Sequence, residues 1–192
     1  MNIRIVLLLV PFFITGCSTV SNFSWSNLSP TNWFSSSLEL NNAGLGAISS
    51  VTPMEEKALN QTLNGDYRLR KGMGMSNGQV ISYYEALDDD KVMLVFHGNS
   101  SNRVERIEVM DKSIETPNGS HIGTPFSDLY QKAFDVCRVG AGDDSGKVLC
   151  RSPESTRITY VFTGEWMGPT EIMPSDDKLK VWTISKMIWQ SK

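Results

Sequence analysis

The sequence predicts an α+β fold of two related halves, each a helix followed by antiparallel strands. Thr52-Pro53 and Thr124-Pro125 each open a helical pattern, with Thr as the N-cap and Pro in the first turn, where its missing N–H is not needed. Val-Phe-x-Gly occurs at 95–98 and again 66 residues later, both times within a strand-like segment. These repeats indicate a diverged tandem duplication, with halves at residues 43–115 and 116–192. Chance recurrence of common turn and strand residues is the alternative.

Both predicted helices carry apolar residues at spacings of three and four, the period of a helix packed on one face. A capping box between Thr52 and Glu55 strengthens the first start, and we expect this helix to end by Gly65. Its predicted buried residues are Met54, Ala58, Leu59 and Leu63. Those of the second helix are Phe126, Leu129, Tyr130, Ala133 and Phe134.

Segments rich in Val, Ile and Tyr follow each helix and are separated by turn residues, as in antiparallel sheets. In the first half the predicted strands are 80–87, 91–97 and 104–110. In the second half they are 135–139, 147–151, 157–163 and 179–189.

The amino-terminal segment predicts export. Arg4 precedes an apolar run from Ile5 to Ile14, half the length of about 20 residues that a bilayer-spanning helix needs. Residues 1–16 are therefore predicted to be a removable signal peptide. The run ends in Ile-Thr-Gly followed by Cys17, the cleavage and lipidation pattern of bacterial lipoprotein precursors. A plain secretory signal without lipid is the alternative.

Lipidation of Cys17 predicts firm membrane attachment, because two or more acyl chains such as palmitate hold a protein where one does not. The residue after the cysteine is Ser18, whereas Asp there retains such lipoproteins at the inner membrane. We therefore expect the outer membrane, on its periplasmic face.

Residues 17–42 are predicted to be a tether between the lipid and an α+β domain at 43–192. Eight serines and five asparagines occur among residues 18–42, a composition typical of linkers. Four aromatic residues interrupt it: Phe23, Trp25, Trp33 and Phe34. They dock on the domain, rest among lipid headgroups or contact a partner, and the sequence leaves these options open.

The charge balance argues against nucleic-acid binding. Without Arg4, 17 basic residues stand against 21 acidic ones, a net charge of −4. Nucleic-acid binding needs clustered Lys and Arg to neutralise phosphates, and no such cluster occurs.

With Cys17 consumed by lipid, Cys137 and Cys150 remain as a pair in an oxidising compartment, which predicts a disulfide. The intervening segment 138–147 holds three glycines and two aspartates, residues that favour turns. A metal pair or a redox couple is the alternative. The first lacks further Cys or His ligands, and the second lacks the two-residue spacing of redox pairs.

The sequence carries no catalytic signature, and we predict no enzyme, no metal and no cofactor. His97 with Ser100 or Ser101 and the run 88–90 of aspartates offers the residue types of a triad. However, the Gly-x-Ser-x-Gly elbow is absent. The acidic runs at 88–90 and 176–177 lack the spacing of a calcium-binding EF-hand loop.

A long connection between two strands carries apolar residues where loops are usually polar. Its sequence is Glu-Trp-Met-Gly-Pro at 165–169, followed by Ile-Met-Pro at 172–174. Because Trp and Met are enriched at interfaces, Trp166, Met167 and Met173 are predicted partner-binding residues. The alternative is that Trp166 and Met173 fold back to cover the sheet.

Several features together resemble a known family. They are the lipobox, the Thr-Pro helix starts, Arg-Ile-Glu-Val at 106–109, the run 122–130 and the Cys137/Cys150 pair. Over nearly the whole chain they resemble the enterobacterial lipoproteins regulated by envelope stress (sigma-E), a domain family of unknown function. The resemblance implies an outer-membrane lipoprotein made under envelope stress, with no known catalytic residues. In architecture alone, the tandem plan is also similar to β-lactamase inhibitory proteins and to the small lipoprotein of the outer-membrane assembly machine; such analogy is not evidence of function.

We therefore expect a lipoprotein whose periplasmic domain binds an envelope protein. Binding of a small envelope ligand, a lipid or peptidoglycan fragment, is the alternative, and a deep apolar pocket would favour it. Ionisable groups converging on His97 would favour an enzyme.

Overall fold

The computed structural model describes residues 38–76 and 78–192. The predicted signal peptide, Cys17 and most of the predicted tether lie outside the described residues. Leu40 is already buried in the core, so the folded domain begins a few residues before the predicted boundary at 43. Among the described residues, no helix is both long and apolar enough to cross a membrane.

A small antiparallel sheet opens the described chain. Its strands are β1 (Leu40–Asn41), β2 (Gly44–Leu45) and β3 (Ile48–Ser49), in that order. Gly44 is required here, since its φ of 149° is one that side-chain-bearing residues rarely adopt, and a Cβ would overlap the Ile48 carbonyl. The sequence analysis missed this sheet because its strands are too short to show alternation.

The main body is one eight-stranded antiparallel sheet. The first half of the chain supplies β4 (Arg68–Ser76), β5 (Gln79–Asp88), β6 (Lys91–Gly98) and β7 (Val104–Val109). The second supplies β8 (Cys137–Val139), β9 (Val148–Arg151), β10 (Ile158–Thr163) and β11 (Thr183–Gln190). The strand order is β4-β5-β6-β7-β11-β10-β9-β8, so each half forms four neighbouring strands and the halves meet between β7 and β11. The α+β class is confirmed, with antiparallel sheet dominating and few helical residues.

The two predicted helices are shorter than expected, α1 (Glu56–Thr62) and α2 (Phe126–Leu129), and a third helix, α3 (Asp176–Leu179), was not predicted. The predicted N-caps are wrong. The Thr52 hydroxyl accepts from the Ser49 N–H at 2.9 Å, and the Thr124 hydroxyl accepts from the His121 N–H at 3.0 Å. The following prolines form antiparallel bridges, Pro53 with Arg103 and Pro125 with Thr183. Each Thr-Pro pair therefore closes a turn and enters a bridge before the helix starts.

One face of the main sheet carries the core. The strand residues Phe96, Ile107, Tyr160 and Trp189 pack there against Leu45, Leu59, Phe126 and Leu179 from the small sheet and the three helices. Phe126 and Phe162 meet edge to face with their ring centroids 5.3 Å apart, a favoured aromatic geometry. The prediction that Phe134 is buried is wrong: it is 81% exposed, since α2 ends five residues earlier and the chain turns outward.

Strands β5, β6, β7, β9 and β10 confirm the predicted segments closely. The segment predicted to begin at 179 becomes a strand only at Thr183, because Asp176–Leu179 form α3. The predicted disulfide is also present, joining Cys137 and Cys150, which are register partners on β8 and β9. It ties the last strand of the sheet to its neighbour.

Candidate functional site

The loop at 164–175 connects β10 to α3 and contains the predicted partner-binding residues. The indole N–H of Trp166 donates to the Pro169 carbonyl at 3.0 Å, and the ring lies over Gly168, where a Cβ would overlap it. Trp166 and Met173 pack against the core, while Met167 is fully exposed. Trp166 and Met173 thus fold back onto the domain, which is the alternative that the sequence left open, and Met167 projects into solvent.

Three further apolar side chains are exposed near this loop and α3: Phe134, Ile172 and Val181. Hydrogen bonds join the segments that carry Phe134 and Val181. The Ala133 N–H donates to the Asp176 carboxylate at 2.9 Å, and the Ser127 N–H donates to the Lys180 carbonyl. We call Phe134, Met167, Ile172 and Val181 the helix-end surface. A contiguous exposed apolar patch is typical of an interaction site, whereas a singly exposed apolar residue is ordinary.

His97 does not form a triad with the residue types that the sequence offered. Its Nε2 lies 3.1 Å from the Glu108 carboxylate, across the β6–β7 pair. Asp88 to Asp90 sit at the other end of β6, since Asp88 pairs with Lys91. His97 is six residue steps along the strand from Lys91, about 20 Å away. Asp90 is engaged by Arg68.

His97 instead belongs to an ion-pair network on the face of the sheet opposite the core. Glu108 contacts the Arg106 guanidinium at 2.8 Å and the Lys186 ammonium at 2.9 Å. Lys186, only 9% exposed, also contacts Asp144 at 2.9 Å, and Lys147 contacts the same carboxylate. We call His97, Arg106, Glu108, Asp144, Lys147 and Lys186 the outer-face network.

The cations of this network keep its carboxylates ionised. Burial on its own raises the pKa of Glu108, but the hydrogen bond with His97 and the charges of Arg106 and Lys186 outweigh it and lower the pKa from 4.5 to about 2. At Asp144 burial likewise raises the pKa, and the bonds from Lys147 and Lys186 reverse the effect and lower it. A carboxylate so strongly held in its charged form is a poor general base near neutral pH.

The network has a structural consequence. Asp144 belongs to a 3-10 turn at Gly142–Asp144 in the loop between β8 and β9, so its bonds to Lys186 fasten that loop to the sheet. Beneath it lies a small second apolar cluster of Leu149, Val161 and Ile188. The network leaves no sign in the sequence, because its members come from strands and loops far apart in the chain.

A second feature escaped the sequence analysis, an apolar face on the β4–β5 hairpin. Met73, Met75 and Val80 are 67 to 77% exposed. Met75 is the register partner of Val80, so these two side chains share a face, and Met73 lies on it two residues earlier. The sequence predicted no strand in this segment, where Met alternates with Gly at 72–75 and glycine is depleted in strands.

The cavities of the domain bear on the small-ligand alternative. One of about 500 Å³ is lined by Leu129, Tyr130, Val136 and Arg151, among others. The Tyr130 hydroxyl donates to the Arg151 carbonyl at 2.6 Å at this place. In the described part of the chain, no three His, Cys, Asp or Glu side chains are grouped closely enough to hold a metal ion.

Comparison with known proteins places the chain in a family. Residues 22–191 match a family described as protein of unknown function (DUF1131). The chain is 45% identical over 189 residues to the uncharacterized protein YfeY of Escherichia coli strain K12, covering 98% of each. It is also similar to the crystal structure of the uncharacterized protein yfeY from Escherichia coli, with a TM-score of 0.72 and 42% identity over 79% of this chain and 99% of that one. The chain therefore belongs to the DUF1131 family.

Proposed function

We propose that this protein is an outer-membrane lipoprotein, anchored through Cys17, whose non-catalytic periplasmic domain binds an envelope protein during envelope stress. The observation that carries the binding role is the helix-end surface, where Phe134, Met167, Ile172 and Val181 expose apolar side chains. At protein interfaces, truncating a hot-spot residue typically costs about 2 kcal/mol or more of binding free energy.

The fixed ends of the loop at 164–175 support this role. The Trp166 bond to Pro169 and the packing of Met173 against the core hold both sides of Met167 in place. A loop that is ordered before binding loses less conformational entropy on association than a mobile one. Trp166 and Met173 thus hold the exposed Met167 in place.

The anchor is supported by the lipobox at Cys17 and by the disulfide between Cys137 and Cys150, which suits an oxidising compartment such as the periplasm. Cells fed an alkyne-bearing palmitate should label the wild-type chain. The Cys17→Ala variant should lose the label. Equal labelling of both chains would refute the anchor.

We also infer that the two halves arose by duplication, since they share local geometry. In both, a Thr hydroxyl accepts from the N–H three residues earlier, at Thr52 and Thr124. Pro53 then bridges to Arg103, the residue directly before β7, and Pro125 bridges to Thr183, the first residue of β11. Superposing β4–β7 on β8–β11 tests the inference, and prolines that fall out of register would contradict it.

Affinity capture tests the binding role. The full chain and its Met167→Ser/Ile172→Ser variant serve as bait on detergent-solubilised envelopes, with Val51→Ser as the control because Val51 is equally apolar and exposed elsewhere. We expect one envelope protein to be retained by wild type and control and reduced at least about tenfold by the double variant, as losses above 1.4 kcal/mol imply. Equal retention by all three baits would refute the surface.

The cavity beside Tyr130 favours a second candidate, binding of a small envelope ligand such as a lipid or peptidoglycan fragment. Its apolar residues Leu129 and Val136 and the cationic Arg151 suit an amphiphile with an anionic group. A ligand that co-purifies with wild type and is lost from Leu129→Arg, while capture by the helix-end surface fails, would establish this candidate instead.

A further inference from the structure

The two edges of the main sheet differ sharply. The edge strand β8 has three residues and is tied to β9 by the disulfide. The opposite edge, β4, has nine residues, and no strand among the described residues pairs with its outer side. A long open edge presents unpaired N–H and C=O groups that template pairing with another strand.

The side chains of β4 divide between its faces. Arg68 and Arg70 point away from the core side, where they meet Asp90 and Glu85. Leu69, Lys71, Met73 and Met75 point to the core side, by the strand alternation. The basic residues therefore lie in the first half of the strand and the exposed methionines in the second.

We propose that a second copy of this chain pairs with β4, antiparallel, about a two-fold axis through Gly72. All nine residues then pair: Gly72 lies opposite the partner's Gly72, and Arg68 lies opposite the partner's Ser76. Such a pairing adds about nine backbone hydrogen bonds. It is isologous, as two-fold interfaces are, and it extends one sheet across both copies.

This register is favoured by the charges. Lys71 faces the partner's Met73, and Arg70 faces the partner's Gly74, so no like charges stand opposite each other. The two Arg70 residues lie four positions apart along the strands, about 13 Å, which exceeds the Debye length of about 8 Å at physiological salt. The two Lys71 residues are the nearest like charges, diagonal neighbours two positions or about 7 Å apart rather than face to face.

Neighbouring registers are worse. Centring the axis on Lys71 sets two lysines face to face, which is destabilising. A shift by one residue turns the core face of one copy against the outer face of the other. Centring on Met73 leaves Arg68 and Leu69 opposite residues beyond the end of β4.

The pairing also gives the exposed methionines of β4 side-chain neighbours on the same face. Met75 comes to lie against the partner's Leu69, and Leu69 itself packs on the core of its own copy. A lipid surface suits this hairpin less well than a second copy, because the turn at the hairpin tip is polar, with Gln79 beside Gly78. The apolar side chains lie instead along one face of the hairpin.

The test uses two differently tagged full-length copies in the same cells, and it does not depend on the proposed envelope partner. Wild-type copies should co-purify. Met73→Lys places lysine opposite Lys71 twice and should reduce co-purification at least tenfold. Adding Lys71→Glu to Met73→Lys restores opposite charges across the axis and should recover it. Val51→Lys, a charge placed on an exposed apolar residue outside β4 and outside the helix-end surface, is the matched control and should have no effect.

Three results would overturn the pairing. They are wild-type copies that do not co-purify above the untagged background, a Met73→Lys variant that co-purifies like wild type, and a double variant that fails to recover. A photoreactive residue at Met73 supplies the second readout, because crosslinks to another copy support the pairing and crosslinks only to lipid or to a different protein refute it.

Discussion

Replacing Glu108 by Gln should remove a defined pH-dependent part of the stability. Glu108 is 14% exposed in its side chain and bonded to His97, Arg106 and Lys186. A pKa lowered from 4.5 to about 2, at about 1.4 kcal/mol per pH unit, corresponds to about 3 kcal/mol of folding free energy. Gln keeps the shape of the side chain and mimics its protonated form.

The sign follows from the lowered pKa. Because the folded protein holds the Glu108 proton more weakly than the unfolded chain, this stabilisation is complete above pH 4.5 and is lost as the pH falls towards about 2. The difference in unfolding free energy between wild type and Glu108→Gln should therefore be about 3 kcal/mol at pH 7 and shrink towards zero near pH 2.

Urea unfolding measures this difference, with the fluorescence of the buried Trp182 and Trp189 as the signal, on the chain from residue 17 with Cys17→Ser. Glu85→Gln is the control on the same face: Glu85 pairs with the half-exposed Arg70, and such surface pairs contribute about 1 kcal/mol or less. A Glu108→Gln difference that stays constant from pH 7 to pH 3 would refute the reasoning.

Three more outcomes are expected, each measured by urea unfolding. Replacing both Cys137 and Cys150, which are 13 residues apart, by Ala should lower the unfolding free energy by about 3 kcal/mol, and an unchanged midpoint would count against a native disulfide. Gly164→Ala should lower the unfolding free energy by about 1–3 kcal/mol, because the added Cβ would overlap the buried Trp182 ring. Gly74→Ala should cost less, because its Cβ would meet Tyr83 at an ordinary 3.7 Å. Equal losses for the two variants would contradict the packing. Met167→Ser should change stability by under about 0.5 kcal/mol, while Trp166→Ser should destabilise by more; the reverse order would show that the loop is oriented differently.

The sequence predicted the parts of the fold that depend on local pattern. Strands β5 to β7 and β10 are rich in Val, Ile and aromatic residues and lie between clear turns, so their positions could be read directly. The N-caps predicted from the Thr-Pro pairs were wrong because Thr and Pro suit both a helix start and a tight turn. Tertiary bridges from Pro53 and Pro125 stabilise the turn at both places.

The rest depends on contacts that no local pattern encodes. Leu40 and Leu45 are buried by the sheet and helices far along the chain. The Ser/Asn-rich sequence around Leu40 gives no local indication of this burial. The pairing of Lys186 with Asp144 and Glu108 exists only once β11 lies beside β7. For the candidate site, the sequence located the loop at 164–175, but only the packing shows that Trp166 turns inward and Met167 outward.

Site-specific photocrosslinking in living cells tests the binding role most directly. A photoreactive residue replaces Met167 in one chain and Val51, exposed elsewhere, in another. The account predicts a crosslink from position 167 to one recurring envelope protein that position 51 does not give. Identical products from both positions, or lipid alone at 167, would contradict it.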